Sequence, residues 1–371
     1  MIGPAGKTLS EKDRIRVLVV DDSVVIRRLV TYALAEDPDV EVVGSAANGQ
    51  IALKVIPLLK PDVVTLDIEM PEMDGLATLR QIRVLYPQLV VIMFSTLSER
   101  GAAITIEALS LGANDYVTKA ANVGSLDVSM ARLRADLVPK VRQFFHRGRR
   151  VTPPVPAPPP RVSSPIAVRP AAIPASGARL PRLARQALAI GVSTGGPTAL
   201  AELIPAIPEN FDLPVFIVQH MPPIFTRLLA ERLQTLTKLR IREATDGMSI
   251  EGGTIYIAPG DFHMRTVKNG AQKRILLDQS APENFCRPAV DVLFRSVADL
   301  YGGAVIAVVL TGMGQDGRLG VERLRKEGAW VIAQDEASSV VWGMPGAVAR
   351  AGLADDVVDL KSVVPAILRQ I

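Results

Sequence analysis

Residues 15–22 read IRVLVVDD, a β-branched apolar run ended by two aspartates. A run this short and this continuously apolar is the signature of a strand buried on both faces. Working outward, the same signal recurs at VEVVGSA (Val40 to Ala46), PDVVTLD (Pro61 to Asp67), LVVIMFS (Leu89 to Ser95) and NDYVTK (Asn114 to Lys119). The segments between them space their apolar residues three to four apart, the helical period. Strand and helix in alternation predict a doubly wound parallel sheet over residues 14–134. The logic repeats at QALAIGVS (186–193), LPVFIVQH (213–220), GTIYIAPG (253–260) and GAVIAVVLTG (303–312), so a second parallel, helix-flanked sheet is expected over 182–371. Both halves are α/β, and 371 residues suit two domains.

Between the two lies a different kind of sequence. Val151 to Pro181 carries ten prolines and neither strand nor helix period, so residues 135–181 are expected to be a basic, Pro-rich linker. It also holds the charge. From Leu137 to Ala201 there is no Asp or Glu but there are ten Lys and Arg, more than the whole net charge of +4. The rest of the chain is therefore net negative, and the high pI gives no support to nucleic-acid binding by the folded parts. No helix-turn-helix-sized module is visible either, which argues against a transcription factor. No apolar stretch approaches the roughly 18 residues of a membrane span. The first residues lack the apolar core of a secretory signal, and the single Cys286 cannot form an internal disulfide. A cytoplasmic protein that is not membrane-inserted is expected.

In open α/β sheets ligands bind at the carboxyl ends of the strands, where the polar residues of the first domain collect. Asp21 and Asp22 follow the first strand, Asp67 ends the third, Ser95 and Thr96 end the fourth, and Lys119 follows the fifth. Three carboxylates on one edge repel unless a hard dication sits among them, and Mg²⁺ suits oxygen ligands. A carboxylate beside that metal can attack a phosphoryl donor, with the lysine and a hydroxyl to receive the phosphate.

The pair Asp21-Asp22, Asp67 within LDIEMPEMDG and Lys119 in DYVTK, in order on successive strands, resemble the response-regulator receiver family over about 120 residues. The resemblance implies a flavodoxin-like domain with Asp67 as phosphoacceptor. It further implies Mg²⁺ held by Asp22, Asp67 and the Glu69 carbonyl with Asp21 orienting it, and Ser95 and Tyr116 as switch residues. Ala120 departs from the proline that often follows the lysine.

In the second half, QALAIGVSTGGPTAL is a strand, a Gly-rich turn and a helix start, with Ser193 at the turn. Gly191 to Gly195 satisfies G-x-S-x-G, which can expose a nucleophilic hydroxyl; a Gly-rich turn can equally cradle phosphate. Neither the dinucleotide nor the P-loop spacing is complete, and no lysine follows the glycines. A serine needs a base, and the chain offers His146, His220 and His263. His220 is favoured because it ends a strand at the edge that carries Ser193. Asp316, in TGMGQDG after the apolar run AVIAVVL (304–310), is placed to orient an imidazole.

IGVSTGGP, VQHMP, YIAPGDFHM, RPAVDVLFRSVA, LTGMGQDG and GMPGAV resemble the chemotaxis protein-glutamate methylesterases across nearly all of 182–371. That implies a Rossmann-like domain in which Ser193 is the nucleophile, His220 general base and acid, Asp316 its orienting carboxylate and the Met313 N–H an oxyanion donor. Gln315 stands where other members often have asparagine. The resemblance further implies a phosphorylation-activated esterase that removes γ-methyl groups from glutamates of chemoreceptors, with deamidation of glutamine as a second activity. It needs no cofactor for the ester chemistry. A histidine kinase would supply phosphate, and the enzyme is expected to act as a monomer.

Overall fold

The computed structural model describes residues 14–96, 98–119, 126–146, 149–150 and 184–371. The proline-rich segment and Ala120 lie outside them.

The first unit runs β1 (Ile15–Val20), α1 (Val24–Ala35), β2 (Val40–Ala46), α2 (Gly49–Leu59), β3 (Val63–Asp67), α3 (Gly75–Leu85), β4 (Val90–Ser95), α4 (Glu99–Ser110), β5 (Asp115–Thr118) and α5 (Leu126–Arg142). Its five strands are all parallel in the order β2-β1-β3-β4-β5. Helix starts are fixed by short polar side chains. Ser23 caps α1, Asn48 accepts from Ile51 N–H at 2.9 Å, Asp74 from Ala77 N–H at 2.7 Å, and Ser98 from Gly101 N–H at 3.1 Å. Each cap contributes about 1 kcal/mol. Burial contributes more: every residue of β3 and β4 is buried, at roughly 1.5–3 kcal/mol per large apolar side chain.

Two-residue strands β6 (Phe145–His146) and β7 (Arg149–Arg150) follow. The second unit then comprises β8 (Ala187–Val192), α6 (Gly196–Ala206), β9 (Val215–Gln219), α7 (Phe225–Gln234), β10 (Arg240–Glu243), β11 (Thr254–Ile257), the hairpin β12 (His263–Asn269) with β13 (Gln272–Asp278), and α8 (Val290–Tyr301). It ends with β14 (Val305–Val309), α9 (Arg318–Lys326), β15 (Trp330–Gln334), α10 (Met344–Arg350), β16 (Asp356–Val358) and α11 (Leu360–Leu368). Seven parallel strands form one sheet, β10-β11-β9-β8-β14-β15-β16. Strand β8 is the pivot: the chain goes to β9 on one side and returns on the other at β14, which opens a crevice at the carboxyl ends. The four strands expected in this half are all present. β10, β15, β16 and the antiparallel hairpin are additions.

The two units touch along α4 and β5. Tyr116 stacks on Phe225 with ring centroids 4.9 Å apart and planes within 11°. Thr198 donates to the Leu109 carbonyl at 2.9 Å, and Glu99 pairs with Arg227. Thr194 Oγ1 lies 3.1 Å from Asp115 Oδ2 and 3.2 Å from Gln143 Oε1, while the Gln143 amide donates to Asp115 at 2.9 Å. Thr194 is the residue after the candidate nucleophile, so the receiver's last strand reaches the edge of the second crevice.

Candidate active site

At the carboxyl edge of the first sheet, Asp21, Asp22 and Asp67 offer oxygens within 4.8 Å of one another. Asp21 and Asp67 are buried and Asp22 is exposed. Lys119 Nζ lies 2.7 Å from Asp67 Oδ1 and 3.0 Å from Asp21 Oδ2. Burial pushes the Asp67 carboxyl up to about 6, with the Asp21 charge adding to it and Lys119 only partly offsetting it. The Asp67 Oδ2 oxygen is buried without a hydrogen-bond partner among the described residues. A lone unsatisfied carboxylate oxygen costs roughly 1–3 kcal/mol or more, so it faces a missing partner. The residues therefore fit a divalent cation with oxygen ligands. Asp22, Asp67, Glu69 and Lys119 line a cavity of about 280 Å³ there, with Thr96 on its wall.

Ser95 is fully buried, but its hydroxyl faces α4: it contacts the Thr96 and Gly101 carbonyls at 3.0 and 3.1 Å and accepts from Thr105 at 2.7 Å. Tyr116 is buried against Phe225. Neither candidate switch residue bonds to the Asp67 side chain: Ser95 is engaged with Thr96 and α4, and Tyr116 with Phe225 across the interface.

At the carboxyl edge of the second sheet, Ser193 follows β8, His220 follows β9, and the segment Thr311 to Asp316 follows β14. The nucleophile's turn is braced from two sides. Ser193 N–H donates to Thr311 O at 3.0 Å, and the buried Gln219 amide donates to Ser193 O at 3.0 Å and to His220 O at 3.3 Å. Gly312 makes this approach possible, since a Cβ there would lie 2.7 Å from Ser193 Cβ.

His220 Nε2 meets Asp316 Oδ2 at 2.8 Å. Asp316 is buried and accepts four further hydrogen bonds, from the N–H groups of Val290 (2.7 Å), Asp291 (3.0 Å) and Gly317 (2.9 Å) and from Asn284 Nδ2 (3.0 Å). Burial alone favours its neutral form, yet His220 and these donors hold its carboxyl below the usual range. Burial likewise opposes charge on His220, but the Asp316 hydrogen bond, with the Cys286 thiol beside the ring, raises its proton affinity.

Ser193, His220, Met313 and Cys286 line one cavity of about 920 Å³, walled on the opposite side by Asp115, Asp136, Lys140 and Gln143 of the first unit. Among the described residues the Ser193 hydroxyl makes no hydrogen bond, so the serine and base share a cavity without being joined. Candidate sites often tighten only when substrate is present. The Met313 and Thr194 N–H groups donate to no acceptor among the described residues, which leaves both free for an oxyanion. His263 is fully buried and committed: it accepts Ala289 N–H at 3.2 Å on Nδ1 and its Nε2 is 3.1 Å from Ala281 O. Sequence reasoning missed Gln219, Asn284 and Asp291. Gln219 adjoins His220 and Asp291 lies in RPAVDVLFRSVA, but neither stretch signals a contact with the site.

Comparisons with known proteins cover both units. Residues 188–367 match the family described as CheB methylesterase, and residues 17–130 match the response regulator receiver domain. A protein-glutamate methylesterase/protein-glutamine glutaminase of Trichodesmium erythraeum is 51% identical, with 96% of this chain and 99% of that protein covered. One of the same name from Nocardioides is 50% identical over 96% and 95% of the two chains. The crystal structure of the Thermotoga maritima CheB methylesterase catalytic domain, at 41% identity, covers 51% of this chain and all of its own, with a TM-score of 0.50. The chain belongs to the CheB methylesterase family, in the form that carries a response regulator receiver domain.

Proposed function

We propose that this chain is a phosphorylation-controlled serine esterase that hydrolyses γ-methyl esters of glutamate on chemoreceptors, releasing methanol, and that it deamidates receptor glutamine by the same route. The observation that carries the reading is the 2.8 Å contact between His220 and Asp316 on the cavity that also holds Ser193. With Nε2 engaged by Asp316, Nδ1 is the nitrogen left to take the Ser193 proton. The serine oxygen attacks the ester carbonyl, the oxyanion is received by the Met313 and Thr194 N–H groups, and His220 returns the proton to methanol as it leaves. Water then resolves the acyl-enzyme with His220 as base. An amide passes through the same tetrahedral stage with ammonia as leaving group, in line with the double name of the relatives.

The domain division we propose is a receiver from 14 to the end of α5, a linker after it up to 181 and a catalytic domain over 182–371. The receiver boundary expected at 134 falls inside α5, which runs to Arg142 with Leu137, Val138 and Val141 buried in the receiver core. A histidine kinase phosphorylates Asp67. Asp22, Asp67 and the Glu69 carbonyl would hold Mg²⁺, with Asp21 orienting it; when bound, the ion would supply positive charge to offset that of the incoming phosphoryl group. Lys119 then pairs with the phosphate, and Ser95 turns from α4 toward it. That rotation withdraws its contacts from Gly101 and Thr105, loosens α4 and frees Tyr116 from Phe225. Activation is a shift from a closed to an open population, since the receiver walls the catalytic cavity in the closed one. We place the protein in the cytoplasm as a monomer; among the described residues no helix is long and apolar enough to cross a membrane.

The test is methanol release from methylated receptor membranes, with and without a small phosphodonor, for wild type, Ser193→Ala and Asp67→Ala. Wild type should be stimulated by the donor, Ser193→Ala should be inactive, and Asp67→Ala should stay at the basal rate. No methanol from properly folded wild type sinks the esterase reading.

A further inference from the structure

Behind the catalytic aspartate lies a second buried carboxyl. Asp291 is in the first turn of α8 and is almost wholly inaccessible. Neither α8 nor α9 has a side-chain cap of its own, Ala289 and Gly317 being the cap residues. Instead the two aspartates cap each other's helices. Asp316, just before α9, accepts the Val290 and Asp291 N–H groups at the start of α8. Asp291 accepts Gly320 N–H, at 2.6 Å, in the first turn of α9. Glycine is needed there because a Cβ at position 320 would lie 2.5 Å from Phe294 Cβ and 3.2 Å from Asp291 Cα.

A third residue joins the pair. Asn284, held at φ +51°, gives the two hydrogens of one amide nitrogen to Asp291 Oδ2 and Asp316 Oδ1, each at 3.0 Å. We propose that Asp291 is a positioning residue of the active site: through Asn284 and the crossed helix caps it fixes Asp316, and its charge adjusts how strongly His220 holds a proton. This rests on the Ser193, His220 and Asp316 reading and deepens it.

Helix capping alone would explain two of these hydrogen bonds but not the shared amide, which brings two carboxyls together on one donor. Asp316 has five donors and stays ionised; Asp291 has two. Burial, and next to it the Asp316 charge, push the Asp291 carboxyl up to about 6, with the Gly320 N–H opposing. The charged groups facing it are Asp316 from the β14–α9 segment and Arg295 one turn along α8, itself paired with Glu283; α9 contributes only backbone. Asp291 therefore changes charge close to neutrality, one residue removed from the imidazole. Ionised, it stabilises the protonated His220; neutral, it releases that hold.

The experiment is an NMR titration of the His220 imidazole in the full chain, assigned against His220→Ala; the sequence has only three histidines. Wild type should show a second inflection near the Asp291 value. Asp291→Asn should lose it and lower the His220 proton affinity by roughly half to one pH unit, from one charge at this range. The acidic limb of kcat/KM for methanol release should move down by the same amount. Asn284→Ala keeps both charges but removes a donor from each, and should move the His220 titration upward. A role in capping alone predicts lower thermal stability with an unmoved titration. A single inflection in wild type together with an unshifted Asn284→Ala overturns the proposal, even if Asp291→Asn fails to fold. Absence of methanol release from wild type is a failure of the catalytic reading instead, since the imidazole titration is read without turnover.

Discussion

Two buried aspartates at the carboxyl edges of parallel sheets, Asp67 and Asp316, have opposite surroundings. Asp67 has the Ile68 N–H and Lys119 on one oxygen, no hydrogen-bond partner among the described residues on the other, and a carboxyl pushed up to about 6. Asp316 has five donors and a carboxyl held down. Both lie at the carboxyl edge of a parallel sheet, Asp67 as the last residue of β3 and Asp316 in the segment between β14 and α9; the donor count differs. The difference separates a carboxylate whose chemistry still requires a partner from one already finished as a fixed part. The first is suited to accept a phosphoryl group beside a cation, the second to hold an imidazole through many turnovers.

The largest effect expected is at the finished site. Ser193→Ala and His220→Ala should each reduce methanol release by several orders of magnitude, and the double variant should be no worse than either, because the residues act as one unit. Steady-state rates on methylated receptor membranes check this. If His263→Ala is the more damaging histidine variant, the base is misassigned.

Next comes control. A fragment spanning 182–371 should exceed the unphosphorylated full chain in activity by roughly tenfold or more, as expected when a closed state of a few kcal/mol is removed. Equal rates of fragment and full chain would mean that occlusion is not the mechanism and that control lies in delivery.

The unfinished site gives a smaller, pH-dependent effect. Because the folded state raises the Asp67 value, its contribution favours folding below the unfolded carboxyl range and is lost as pH rises through about 6. Mg²⁺ should therefore raise the melting temperature of the receiver by a few degrees at pH 8 and hardly at all at pH 5. Asp67→Asn should melt higher than wild type at pH 8 without metal, and Mg²⁺ should add little to it. Calorimetry with equal Mg²⁺ gains at both pH values would break the contrast between the two aspartates. Smallest of all, Glu99→Gln removes an exposed ion pair with Arg227 and should raise basal activity less than about twofold, the more weakly at high salt.

Much of this was legible in the sequence. The central strands read clearly because β3, β4, β8 and β14 are continuous apolar runs. β10 did not, because RIRE is an edge strand alternating charge with one buried isoleucine. β16 is three residues long, and the hairpin of β12 and β13 alternates polar and apolar residues outside the main sheet. Ser193, His220 and Asp316 could be chosen because each follows an apolar strand at the same edge. Asn284 and Asp291 could not, because their meaning arises only when the starts of α8 and α9 meet. The direction of the Ser95 hydroxyl was equally closed to sequence, being set by Thr105 and the Gly101 carbonyl on α4.

The order of the two units along the chain gives the interface of Tyr116 with Phe225 a further consequence. Nascent domains fold as they leave the ribosome, the N-terminal one first. The receiver is complete before β8 is made, whereas His220 finds Asp316 only after another 96 residues have been added. The surface of α4 and β5 is thus waiting when the crevice it covers takes shape. On the proposed reading every new copy of the hydrolase is born shut, and a cell need not dispose of uncontrolled activity from molecules still being synthesised.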